Sequence, residues 1–289
     1  MSKKSLIMLL VFIFLTTAGI YIAKEIGNWN IAEKLVNLFK EKSTQRGGLD
    51  DLFSSSVPIR EGADPANDPL FAAARSGTAS AVAAALASSS PDKQDRTGLT
   101  PLMYAARGNR MDAARALVDS GAKLDIQDMR GYSALMYSAE SAADEISSYL
   151  LTRGANPNLH TLSGDSALAM AALSGRTVQL DRLLDRNADV NKSNATGVTP
   201  LMFAAMNGNP EAVSILIRRN ARLNAKDIYG FTPLLYAAEY GNADALGVLI
   251  AAGADITVRD NTGMTAISHA RRNNHRDAVS LLLSVGAPE

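Results

Sequence analysis

Residues 232–256 read TPLLYAAEYGNADALGVLIAAGADI. A hydroxyl residue followed by proline marks a helix start. Thr232 accepts an orphan N–H of the first turn, and Pro233 stands at N1, where a missing N–H costs nothing. Leu234 then faces a core, and Ala237-Ala238 keep the helix thin enough for a neighbour to approach. After Gly241 a second helix carries Leu249 and Ile250. Gly253 follows it at the position that takes a left-handed conformation. Just upstream, Asp227-Ile-Tyr-Gly230 is turn chemistry, with Gly230 freeing φ. The unit is turn, helix, turn, helix.

Moving outward in steps of 33 residues, every feature returns. Gly98, Gly131, Gly164, Gly197, Gly230 and Gly263 form one column. Thr100, Ser133, Ser166, Thr199, Thr232 and Thr265 are all hydroxyl residues. Leu117, Leu150, Leu183, Leu216, Leu249 and Leu282 are all leucine, and Gly121, Gly154, Asn187, Asn220, Gly253 and Gly286 are all Gly or Asn. Several columns in one phase identify a repeat array rather than a chance glycine series.

The unit resembles the ankyrin repeat, most closely at 232–256 and at TPLMFAAMNGNPEAV (199–213). The resemblance implies an all-α helix-turn-helix solenoid with β-turn fingers over residues 68–289. Full repeats fall at 98–130, 131–163, 164–196, 197–229 and 230–262, between a cap at 68–97 and a cap at 263–289. The histidine that the family usually carries after Thr-Pro-Leu is replaced by Met103, Met136, Ala169, Met202, Leu235 and Ser268. The inter-helix glycine is kept as Gly175, Gly208 and Gly241 but is Asn109, Ala142 and Asn274 elsewhere. Asn tolerates φ > 0 and Ala does not, so an altered turn is expected at Ala142.

The 289 residues balance 29 Lys+Arg against 29 Asp+Glu, which argues against nucleic acid as the partner. With 47% hydrophobic residues, most of the chain can bury a core. Ahead of the repeats, after a tail at 1–4, residues 5–23 carry no charge and are long enough for one transmembrane helix in a lipid bilayer. An uncleaved signal anchor fits better than a cleaved signal peptide, which lacks a good small-residue site, or a buried core helix. Lys3 and Lys4 favour a cytoplasmic N-terminus, although Lys24, Lys34, Lys40 and Lys42 oppose it. The expected placement is the inner membrane with the repeats in the periplasm, the alternative being a soluble periplasmic protein. Residues 24–42 include an amphipathic juxtamembrane helix, and 43–67 read as a linker.

There is no cysteine, and His160, His269 and His275 are the only histidines. No phosphate loop, nucleophile elbow or His-Glu-x-x-His motif occurs, so neither an enzyme nor a metal or cofactor site is expected. A solenoid instead presents an extended surface. The resemblance places its contacts at finger tips and first helices, here Met129, Arg130, Tyr132, Met206, Ile228, Tyr229, Phe231 and Tyr240. Aromatics, Met and Arg are the residues that protein interfaces concentrate. The expected function is to hold a protein partner and escort, stabilise or inhibit an envelope enzyme, as exported bacterial proteins resembling this one do. The alternative is a structural scaffold without a dedicated partner.

Overall fold

The computed structural model describes residues 68–141 and 143–289. All of them fall in the second of the chain's two units, residues 61–289. The expectations for the tail at 1–4, the membrane segment at 5–23, the juxtamembrane helix at 24–42, the linker at 43–67 and the turn at Ala142 lie outside the described residues.

Fourteen helices, in seven pairs, are present among the described residues. They are α1 (Pro69–Ser76) with α2 (Ala79–Leu86), α3 (Pro101–Arg107) with α4 (Met111–Asp119), α5 (Ala134–Glu140) with α6 (Asp144–Thr152), and α7 (Ala167–Leu173) with α8 (Thr177–Asp185). The series continues with α9 (Pro200–Asn207) and α10 (Pro210–Arg218), α11 (Pro233–Glu239) and α12 (Ala243–Ala251), and α13 (Ala266–Arg272) and α14 (Arg276–Ser284). First helices pack on first helices and second on second, so each pair touches only its neighbours along two parallel layers. Among the described residues there is no strand, only the isolated bridges His160–Ser166 and Arg259–Thr265. None of the described helices is long and apolar enough to cross a membrane.

The hydroxyl column caps the first helices. Thr100, Ser133, Ser166, Thr199, Thr232 and Thr265 each accept an N–H three residues on, at 3.2–3.4 Å. The methionines standing where the family carries histidine complete two of these caps. The backbone N–H of Thr100 donates to Met103 Sδ, and that of Thr199 to Met202 Sδ, both at 3.3 Å. Thioether sulfur is a weak acceptor, but it satisfies a donor that the helix cannot. Asp68 caps α1 through Leu70 N–H and is held by Lys93 at 2.5 Å.

All six leucines of the column are fully buried, as are the alanine pairs Ala105-Ala106, Ala171-Ala172, Ala204-Ala205 and Ala237-Ala238. Burying a leucine stabilises by roughly 1.5–3 kcal/mol, so the column repeats one packing term along the array. Six of the seven helix pairs end in a positive φ where Gly or Asn is expected, including Asn187 (60°) and Asn220 (65°), while the first ends at Ala87 with φ −60°. Asn109 (51°) and Asn274 (60°) likewise adopt the left-handed turn between helices. The finger glycines have a second reason to be glycine. A Cβ on Gly131 would stand 2.8 Å from Thr161 Cα, because the next finger passes directly over it.

Candidate functional site: the finger and first-helix face

Each finger is wound around one polar side chain. Asp227 Oδ1 accepts the N–H groups of Tyr229 (2.9 Å) and Phe231 (2.8 Å), and its Oδ2 accepts the Tyr236 hydroxyl at 2.6 Å. Asp95 and Tyr104 (2.8 Å), and Asp128 and Tyr137 (2.7 Å), repeat the arrangement. In the last finger Asp260 meets His269 Nε2 at 2.9 Å. Where the acid is replaced, the donor is replaced too: Asn194 stands nine residues before Phe203, and Thr161 nine before Met170. Burial, reinforced by the bond to the aspartate, pushes the Tyr104 and Tyr137 hydroxyls up to about 12, and Tyr236 rises further.

Backbone bonds join finger to finger. Met129 N–H donates to Thr97 O (3.1 Å), Leu162 to Arg130 O, Ala195 to Ser163 O, Ile228 to Thr196 O, and Asn261 to Tyr229 O. The tips therefore stand in one row at a fixed interval.

The expected contact residues separate by column. Met129, Ile228, Tyr229 and Tyr240 are 56–60% exposed and form the open surface. The column after the turn glycine tucks inward instead, with Leu99 and Val198 buried. Phe231 follows it, its ring 4.9 Å from Tyr236 and 4.8 Å from His269. Tyr132 lies 5.2 Å from the Tyr137 ring. These two aromatics are half-buried: each braces its finger with one part of the ring and leaves the rest at the surface. Met206 is half-buried on α9. Leu162 at 81% and Leu173 at 47% are also exposed, at a finger-tip and a first-helix position that the repeat register assigns to the same surface. Their columns carry the signal, because Leu162 shares a register with Met129 and Ile228, and Leu173 with Met206.

Arg130 is held in place before any partner arrives. Its guanidinium lies 4.5 Å over the Tyr132 ring and donates to the Tyr137 hydroxyl at 2.7 Å. Cation–π contact of this kind limits the rotamers that binding would otherwise have to freeze. With Arg107, Tyr137, Glu140 and Ser141 it lines an open groove of about 290 Å³.

At the other end His269 is almost fully buried between two carboxylates. Its Nδ1 lies 2.6 Å from Glu239 Oε2, which Arg272 also approaches at 3.2 Å. Burial alone would raise the Glu239 carboxyl, but bonds from His269, Asn273 and Arg272 outweigh it and hold the carboxyl below its usual range. Asp260 is likewise lowered against its burial, by Thr262, Met264 and His269. With both ring nitrogens engaged, His269 ties the last helix pair to its neighbour. His275 does the same from the start of α14, its Nε2 lying 3.0 Å from Glu239 O.

No curated protein matches the chain. The family model described as ankyrin repeats (3 copies) matches residues 20–128, 70–161, 159–260 and 224–288. The matches span most of the chain and agree with the helix pairs, capped starts and hydrogen-bonded fingers of residues 68–289: the chain belongs to the ankyrin-repeat family.

Proposed function

We propose that this chain is a membrane-tethered binding protein that holds a protein partner on its finger and first-helix face. The observation that carries the reading is the set of exposed apolar and aromatic side chains there: Met129, Leu162, Leu173, Ile228, Tyr229 and Tyr240. A folded protein gains nothing from leaving such residues in water, and a grouped set marks a contact surface. The tether is the uncharged stretch 5–23, with the repeats outside the cytoplasm and an envelope enzyme as the partner to be escorted, stabilised or inhibited.

The test is affinity purification of the full chain from solubilised membranes, with and without Tyr229→Ala plus Tyr240→Ala. The reading expects a protein that co-purifies with the parent and is lost from the variant. Equal recovery from both would reject this face. A reporter fused after Glu289 that works only outside the cytoplasm should be active; activity of a cytoplasm-only reporter instead would overturn the compartment and with it the envelope enzyme.

A further inference from the structure

We propose that the groove between Arg107 and Arg130 seats one carboxylate side chain of the partner, an aspartate or glutamate with apolar residues beside it. The inference rests on the protein-binding reading above and names the residue type that this part of the face recognises.

The groove forms where two first helices end together. Ser141 donates its hydroxyl to Ala106 O at 3.0 Å, which ties the end of α5 to the end of α3. Arg107 is the last residue of α3 and Glu140 the last of α5, and both line the groove with Arg130, Tyr137 and Ser141. Arg130 is already oriented. Tyr132 supports its guanidinium, and the Tyr137 hydroxyl takes one N–H at 2.7 Å, yet 64% of the side chain stays exposed. A guanidinium carries five donors, so most of the fork remains for a ligand. Arg107 and Glu140 are exposed, and among the described residues no hydrogen bond or ion pair engages either. Asp128 lies beneath, its side chain 1% exposed. Its Oδ1 accepts the N–H groups of Arg130 and Tyr132, and its Oδ2 the Tyr137 hydroxyl. It weakens the field of Arg130, 3.7 Å away, but offers the groove no open oxygen.

The open polar groups select the occupant. Two guanidiniums in one groove suit a carboxylate, which an arginine fork holds through charge-assisted hydrogen bonds. Glu140 opposes a second negative charge, and so disfavours a phosphate dianion or a nucleic-acid backbone. It also supplies an acceptor for a main-chain N–H next to the bound acid. A polypeptide offers that combination of carboxylate and neighbouring N–H, whereas an isolated phosphate does not. Apolar tips adjoin the groove: Met129 precedes Arg130, Leu162 donates its N–H to Arg130 O at 2.9 Å, and both side chains are exposed. The acid in the occupant is therefore flanked by apolar residues. Arg75, 5.4 Å from the Tyr104 ring in the preceding repeat, adds positive charge that steers an acidic segment toward this end of the face.

The test uses the full chain purified in detergent and short fluorescent peptides that differ at one central position, glutamate, glutamine or phosphoserine, between leucines. Anisotropy titration should show the glutamate peptide binding at least ~tenfold more tightly than the glutamine peptide, the step that hydrogen bonds to a charged group supply. It should bind no more weakly than the phosphoserine peptide. Arg107→Gln and Arg130→Gln should each abolish the preference for glutamate over glutamine. Nothing in the described residues depends on the Arg107 side chain for a hydrogen bond or ion pair, so that variant should keep its fold, and melting of the same sample checks it. Glu140→Gln should strengthen binding of the phosphoserine peptide. Equal binding of the glutamate and glutamine peptides, tighter binding of phosphoserine by the parent chain, a preference that survives Arg107→Gln, indifference of the phosphoserine peptide to Glu140→Gln, or no binding of any peptide would overturn the inference. Recovery of the co-purifying partner separates the two readings. If Tyr229→Ala plus Tyr240→Ala loses the partner while Arg107→Gln plus Arg130→Gln keeps it, only the carboxylate inference falls. If the tyrosine variant keeps it, the protein-binding face itself is wrong.

Discussion

Replacing Tyr236 by Phe removes one oxygen and tests whether the fingers are locked by the pairing of acid and donor. The hydroxyl donates to Asp227 Oδ2 at 2.6 Å, while Oδ1 keeps its two backbone donors at Tyr229 and Phe231. A hydrogen bond to a charged group contributes ~1.5–3 kcal/mol, and because Tyr236 is only half-buried the expected loss is at the lower end, about 1.5 kcal/mol. The chain already carries the alternative pair, Asn194 with Phe203. There Asn194 Oδ1 still holds the turn through Thr196 and Val198, at 3.0 Å each. The cycle is therefore Asp227→Asn, Tyr236→Phe and the double variant. In the Asp227→Asn background Tyr236→Phe should cost less than about 0.5 kcal/mol, a coupling near 1 kcal/mol between the two positions. Urea melts of residues 61–289 at neutral pH measure all four corners. Equal cost of Tyr236→Phe in both backgrounds would refute the argument, because the ring alone would then account for the aromatic column.

Three other outcomes follow from the geometry. Leu216→Ala should cost ~2–5 kcal/mol and more than Leu282→Ala, since α10 packs between α8 and α12 while α14 has only α12 beside it in its layer; a denaturant melt in which Leu282→Ala is the worse would refute this. Gly131 (φ +81°) and Gly154 (φ +94°) both resist a side chain, but only Gly131 faces backbone at 2.8 Å, Gly154 having nothing within 4 Å. Gly131→Ala should therefore destabilise by at least ~1 kcal/mol more than Gly154→Ala, and equal melting temperatures would contradict the close finger approach. The carboxyls of Asp260 and Glu239 titrate below their ordinary 3.8 and 4.5, so the stability they contribute is present above that range and is lost as pH falls through their lower folded-state values. The urea midpoint should thus drop on acidification below about pH 4. Asp260→Asn plus Glu239→Gln should flatten that drop, and an unchanged pH profile would count against the account.

The array was legible because repetition averages out local ambiguity. One Thr-Pro or one Gly proves little, but six hydroxyls, six leucines and six turn glycines in one phase leave a single reading, and all six leucines are buried. The contact surface was less legible because neighbouring residues of one turn point opposite ways. Tyr229 and Phe231 are two positions apart, yet Tyr229 faces solvent and Phe231 stacks on Tyr236. Residue type alone treats them alike, whereas the column does not: Leu99 and Val198, in register with Phe231, are buried, and Phe231 itself is half-buried. Leu162 escapes a reading by residue type for the converse reason, as leucine reads as core until its register places it at a tip. The acid–donor pairing was visible in the sequence as well, since Asp accompanies Tyr or His and the uncharged Asn194 and Thr161 accompany Phe and Met. It becomes meaningful only when the finger brings residues nine apart within 3 Å.

The central claim is that a protein partner sits on the finger and first-helix face, and crosslinking from defined positions of the full chain in the cells that make it tests it most directly. A photoreactive residue at Leu162 or Tyr229 should capture the same protein. The same group at Val178, which is also half exposed but stands on the second-helix layer, should capture none. Capture from Val178 with silence at Leu162 and Tyr229 would contradict the account.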